Sequence, residues 1–191
     1  GVVHELGTLS KILAPALRVG YMIGAPGPFM SALIQKTSDV GFSAPLITQE
    51  IAGYLLEHHI VEQLRSVNAG YRQKALEMGQ AIDRELGPFL SGCRGGQAGF
   101  YYYLTFQSAE THSASRFFHY LTRTTGHADL DGPADNKYPR VIYIPGDYCV
   151  HPKGRMVETG RRQLRLSYGF EEIPRIAAAL AQMREAAAWS L

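Results

Sequence analysis

No apolar run in the sequence approaches the ~20 residues that a membrane-spanning helix needs. The start of the chain shows no basic stretch leading into an apolar one, so no signal peptide is expected there. Cysteine is scarce. Cys93 and Cys149 stand far apart in different contexts, which argues against a disulfide framework and for a reducing compartment or inert thiols. A cytoplasmic location is therefore the expectation. Charge is sparse and balanced, with 19% charged residues and a formal net charge of +2. Without a basic block or stripe, this segment is not expected to bind nucleic acid.

Motifs for several chemistries are also missing. His58 and His59 are adjacent and face different directions on a helix, and the remaining histidines have no HxxxH or Cys-paired spacing, so no metal site is expected. Asp129, Asp131, Asp135 and Asn136 invite a calcium reading. However, Gly132 directly follows the second aspartate and no glutamate closes a twelve-residue loop, so a solvated turn is the better account. There is no GxSxG elbow, and Gly7-Thr8-Leu9-Ser10-Lys11 lacks the upstream glycine of a P-loop.

What is present is a globular chain. Its 191 residues with 46% hydrophobic content suffice for one cored domain, or for a small domain plus part of another. Strands are expected at Val2 to Leu6 and Val19 to Ile23. One helix is expected from Phe29 and another after Ser43-Ala44-Pro45. Ile60, Leu64, Val67, Tyr71, Ala75, Met78, Ile82 and Leu86 recur at steps of three or four and predict one long helix, stopped by Gly87-Pro88. A glycine-rich loop over 92–99 leads into Phe100 to Phe106, whose alternation places Phe100, Tyr102, Leu104 and Phe106 on one face and Tyr101, Tyr103 and Thr105 on the other. A helix over Ser113 to Thr124 follows, then a polar loop and a strand from Val141 ending at Pro145-Gly146. Gln163 to Tyr168 reads as another strand with Arg165 off its apolar face. A last helix has Glu171 and Glu172 expected in its first turn and Ile176, Leu180, Met183 and Ala187 inward.

The most informative stretch is Gly7 to Tyr21. Lys11 lies in a polar turn between two apolar runs, and Arg18 follows just ahead of the second. Thr8, Ser10, free backbone N–H groups and Arg18 offer donors for a phosphate dianion. A desolvated lysine beside another cation is a candidate amine nucleophile. The plainer alternative is a solvated lysine and arginine flanking a hairpin. The string GTLSKILAPALRVGY resembles the cofactor-lysine segment of the fold-type-I pyridoxal-phosphate (PLP) aminotransferases, class I/II, in the branch containing 2-aminoadipate and kynurenine aminotransferases. The lysine, the arginine seven residues on and the Gly-aromatic end are in register. Gly95-Gly96 before an aromatic strand, Ile144-Pro145-Gly146 and Leu164-Arg165-Leu166-Ser167-Tyr168 resemble further segments of that family.

By this resemblance Lys11 is the Schiff-base lysine. Thr8, Ser10 and Arg18 contact the phosphate of pyridoxal 5'-phosphate, and Arg165 binds the substrate carboxylate through its planar fork. The implied reaction moves an amino group between an amino acid and a 2-oxo acid, in a homodimer. The implied fold is the C-terminal part of an α/β architecture. Residues 1–68 would be the last portion of the large PLP-binding domain. Residues 69–191 would form a small α/β domain with a mainly antiparallel sheet covered by helices, the boundary lying in the long helix near Val67 to Tyr71. The family's ring-stacking aromatic and the aspartate for the ring nitrogen would precede Gly1, so the chain resembles an incomplete enzyme, inactive by itself. The same residues are compatible with the aminotransferase-like, effector-sensing domain of a winged-helix (MocR-type) transcription regulator.

Overall fold

A computed structural model describes residues 3–41 and 43–191. The expected strand start at Val2 lies outside the described residues. The chain divides into two units, Gly1–Ala69 and Gly70–Leu191.

In the first unit, β1 (His4–Thr8) pairs antiparallel with β2 (Gly20–Gly24), from His4 opposite Gly24 to Thr8 opposite Gly20. The first strand thus runs two residues past the Leu6 end expected from the apolar pattern. Main-chain pairing carries it on through Gly7, where the Tyr21 ring occupies the space a side chain would need. Helices α1 (Pro28–Asp39) and α2 (Leu46–His58) follow. Pro28 occupies the first turn of α1, where its missing N–H costs nothing. Leu9 and Ala52 are this unit's buried apolar residues among those described. Leu6, Ile23, Ile34, Leu46 and Ile47 are all more than half exposed.

Helix α3 (Ile60–Leu86) runs from the first unit into the second. The second half of its predicted stripe is buried, at Ala75, Met78, Ile82 and Leu86 with Ala81 beside them, while Ile60, Leu64, Val67 and Tyr71 in the first half are only half-buried. After a 3-10 turn at Gly87–Phe89, the second unit builds an antiparallel sheet in the order β3-β4-β6-β5. β3 (Leu90–Gly95) takes up part of the stretch expected as a glycine-rich loop. It is a strand because main-chain pairing with β4 (Tyr101–Phe106) needs no side chains, and a register shift between Leu90 and Gly92 absorbs the irregularity. Gly95 and Gly96 then turn the chain at φ 119° and 76°, values that favour glycine.

The alternation in β4 matches the sequence pattern. Tyr102, Leu104 and Phe106 are buried while Tyr101, Tyr103 and Thr105 lie on the other face. Tyr102 fits against Gly79 and Gly96, and its hydroxyl donates to Ala75 O at 2.9 Å. β6 (Gln163–Ser167) buries Leu164 and Leu166 on that same face. β5 is only Ile144–Pro145. The strand expected from Val141 is cut short because the Val141 N–H donates to Leu121 O instead of to the sheet.

Helices α4 (Arg116–Thr122) and α7 (Ile173–Ser190) cover the apolar face together with the second half of α3. Ser115 caps α4 through its hydroxyl, which accepts from Phe118 N at 3.1 Å. Two short helices, α5 (Ala128–Asp131) and α6 (Val157–Gly160), lie in the connections. Asp131, considered above for calcium, is buried and accepts from Thr125 N, Thr125 Oγ1 and Gly126 N. Burial works to raise its pKa, and these bonds outweigh that and hold it below the usual carboxylate range. Glu171 and Glu172 precede α7 rather than occupying its first turn, and Glu172 O accepts from Arg175 N and Ile176 N. Among the described residues no helix is long and apolar enough to cross a membrane.

Candidate functional site

The sequence-predicted site residues fall into two groups, one in each unit. Thr8, Ser10, Lys11 and Arg18 lie on a single strand–turn–strand. Thr8 ends β1, and Ser10 and Lys11 form the turn that follows. The Thr8 hydroxyl donates to Ser10 Oγ at 3.0 Å and accepts from Ser10 N at 3.2 Å. Leu9, between them, is 4% exposed, and its main chain is tied on both sides. Its N–H donates to Val19 O, and its carbonyl accepts from Leu13 N. A buried leucine thus anchors a turn whose neighbouring polar side chains point elsewhere.

Pro15–Leu17 is a 3-10 turn that ends on Arg18 in the left-handed region, at φ 55° and ψ 34°. A non-glycine residue there is uncommon and costs about 1 kcal/mol. The strain is offset locally, because Arg18 N and Nη1 both donate to Pro15 O. Arg18 is exposed with further guanidinium N–H groups to offer, and Lys11 is exposed as well.

These side chains suit an aldehyde-bearing phosphate ester. Hydroxyls and a guanidinium are donors that match phosphate oxygens, and a primary amine is the group that condenses with an aldehyde.

Arg165 occupies the middle of β6, between Tyr103 of β4 and Ile144 of β5 in register. Its guanidinium lies over the Tyr101 ring, with Cζ 4.6 Å from the centroid. It forms no ion pair among the described residues, so the surface salt bridge that would be the ordinary role of a strand arginine is not what holds it. Arg165 Nε is buried with no hydrogen-bond partner among the described residues. Stacking thus aims the fork while leaving donor capacity unspent.

The same face continues through polar side chains. Tyr103 Oη donates to Gln163 Oε1 at 3.1 Å, and Gln163 Nε2 donates to Thr105 Oγ1 at 3.0 Å. Burial raises the Tyr103 phenol pKa, nearby Cys149 adds to the shift, and Arg165 opposes it. A concavity of about 600 Å³ beside this row is lined by Arg94, Tyr103, Thr105, Cys149, Met156 and Gln163.

Tyr101 and Gln163 are not singled out by the sequence. The signal for Tyr101 is available, since strand alternation places it on the face to which Arg165 is turned. Gln163 gives none, because its partners come from another strand 58 and 60 residues away.

No family model matches the chain. Over 86 residues it is 35% identical to a 2-aminoadipate transaminase of Thermus thermophilus, a stretch amounting to 45% of this chain and 21% of that protein. In three dimensions it matches LysN, the alpha-aminoadipate aminotransferase of Thermus thermophilus complexed with N-(5'-phosphopyridoxyl)-L-leucine. That match has a TM-score of 0.77 and 24% identity, and covers 98% of this chain and 42% of LysN. It also matches the kynurenine aminotransferase of Pyrococcus horikoshii, with a TM-score of 0.71 and 21% identity, covering 97% of this chain and 40% of that one. The chain thus spans about two fifths of the length of these structures.

Proposed function

In a chain that resembles the C-terminal part of the PLP-dependent aminotransferases in sequence and shares their fold, we propose that the turn after β1 holds the cofactor of an aminotransferase and that Arg165 in β6 binds its substrate carboxylate. The whole polypeptide would move an amino group between an amino acid and a 2-oxo acid. The observation that carries this reading is the strand–turn–strand bearing Thr8, Ser10, Lys11 and Arg18, in a chain whose fold is that of aminotransferase structures.

Pyridoxal phosphate supplies the electron sink that makes the α-hydrogen of an amino acid acidic. Thr8, Ser10 and Arg18 would hold its phosphate, the guanidinium and the Ser10 hydroxyl as donors and the Thr8 hydroxyl orienting Ser10 through its hydrogen bond. Lys11 would hold it through its primary amine and, once displaced by the substrate's amino group, would be the base that takes and returns the proton at the substrate α-carbon. Arg165 binds the substrate carboxylate bidentately, its plane set by Tyr101. Residues 1–68 belong to the large domain and 69–191 to the small one, in a cytoplasmic homodimer. The 191-residue chain holds only part of the site and does not catalyse alone.

Steady-state kinetics of the parent enzyme tests the assignment. Arg165→Ala is expected to raise KM for the amino-acid donor at least tenfold while cofactor retention is unchanged, and an unaltered KM would remove Arg165 from the site. The isolated chain mixed with PLP is expected to show no saturable visible absorbance band. A band that disappears in Lys11→Ala would show that this chain suffices.

A further inference from the structure

Neither an ion pair nor a side-chain hydrogen bond holds Arg165 among the described residues, and what orients it is the face of the Tyr101 ring. That ring is backed in turn. Its hydroxyl forms no hydrogen bond among the described residues, and Ser167, opposite it in register, offers only a hydroxymethyl group. Phe100 stands in the turn before β4. Consecutive residues within a strand point to opposite faces, and leaving the strand is what lets the Phe100 ring lie beside that of Tyr101, with 4.3 Å between centroids. Phe100 also stacks on Tyr71 of α3, at 5.7 Å and 29°. Tyr71, Phe100, Tyr101 and Arg165 thus form one unbroken column, from the long helix to the guanidinium.

The lower part of the column is pinned. Phe100 O accepts from Tyr168 N at 3.0 Å, and Gly169 leaves the Phe100 ring its room, since a Cβ there would come within 3.1 Å of Cδ2. The Tyr168 hydroxyl donates to Gly99 O at 3.0 Å, and the Tyr168 ring meets Tyr71 edge-on at 6.5 Å. One turn along α3 from Tyr71, Lys74 Nζ donates to Glu171 O at 2.9 Å and ties the helix to the segment after β6. The Tyr71 hydroxyl makes no hydrogen bond among the described residues, so its ring is what the column uses.

We infer that Tyr71 and Phe100 are positioning residues for Arg165, acting through Tyr101: they fix the ring on which the guanidinium rests, and with it the direction in which the fork meets a carboxylate. This rests on the function proposed above, in which Arg165 binds the substrate. A guanidinium lying over a ring face keeps its N–H groups free to donate at its edge. Loosening the ring spreads the fork over several orientations, which weakens binding of a planar carboxylate and leaves the proton transfer at the α-carbon untouched.

Steady-state kinetics of the parent enzyme tests this. Tyr101→Leu should raise KM for the amino-acid donor about tenfold, and Tyr71→Leu or Phe100→Leu about threefold, with kcat at saturation unchanged. Tyr71→Phe, which keeps the ring, should restore the original KM. Ile82→Val, a truncation on the same helix away from the rings, should leave KM as it is. An unchanged KM in both Tyr71→Leu and Phe100→Leu overturns the proposal, and so does an equal rise in Ile82→Val or in Tyr71→Phe.

A second reading does not depend on activity. In the 15N-labelled 191-residue chain the buried Arg165 Nε–H proton, lying by the face of the Tyr101 ring, should resonate upfield of the other arginine Nε–H protons. Tyr71→Leu and Phe100→Leu should each move it downfield, and Tyr71→Phe should not. A resonance indifferent to both leucine variants overturns the proposal even if the parent is an active transaminase. The expected movement in a parent without that activity supports the column and counts against the functional reading alone.

Discussion

The two units differ in what they can bury. In the second, α3, α4, α7 and three of the sheet strands contribute to one core in which Ile82, Leu86, Leu104, Phe106, Phe117 and Leu164 are all fully buried. Each such side chain stabilises by about 1.5–3 kcal/mol relative to exposure. In the first, Leu9 and Ala52 are the buried apolar residues among those described, while Leu46 and Ile47 are each 71% exposed. Apolar side chains are plentiful in both. The second unit therefore carries its own stabilisation, whereas the first leaves much of its apolar surface exposed. The residues proposed for cofactor attachment lie in the unit that buries less of its apolar surface.

The largest expected consequence is in hydrogen exchange of the whole chain. Amides of β4 and β6 should exchange only through global unfolding of their unit, and those of β1 and β2 orders of magnitude faster. Equal protection of the two pairs would erase the contrast. Next are truncations. Leu104→Ala or Leu164→Ala should cost about 2–5 kcal/mol in denaturant unfolding, while Leu46→Ala should stay within about 0.5 kcal/mol.

The contrast also explains which parts of the molecule are legible in the sequence. The stripe of α3 and the alternation of β4 and β6 are readable because burial on one face imposes a period. β3 is not, because Gly92 and Gly95 pair through main chain alone. Charge preference assigns Glu171 and Glu172 to a helix turn, but the helix begins one residue beyond them, where their effect on the helix end is weaker. At the candidate site, Lys11, Arg18 and Arg165 are singled out by resemblance to a motif, and their local geometry comes only with the structure. The left-handed conformation of Arg18 and the stacking of Arg165 on Tyr101 depend on φ and on cross-strand neighbours, which spacing does not encode.

Smaller effects sharpen the comparison within the second unit. Gly96→Ala places a Cβ against the Tyr102 ring at φ 76° and should cost about 1–3 kcal/mol. Glu110 is held below the usual carboxylate range first by its hydrogen bond from Arg161 and then by His112. Its folded pKa is thus lower than its unfolded value of about 4.3. The stability it contributes is present above that value and lost as pH falls through the folded pKa. Glu110→Gln should therefore lower stability slightly in the neutral region and leave it nearly unchanged at low pH, where the wild-type carboxyl is already protonated, so that the acid limb flattens. An unaltered acid limb would assign the acid sensitivity to other carboxylates such as Glu85, whose pKa is lowered first by Arg84.

The parent polypeptide, loaded with PLP, reduced with borohydride and mapped by peptide mass spectrometry, tests the central claim most directly. The account predicts the phosphopyridoxyl group on Lys11 and its loss in Lys11→Ala. A label on any other lysine, or none at all, would contradict it.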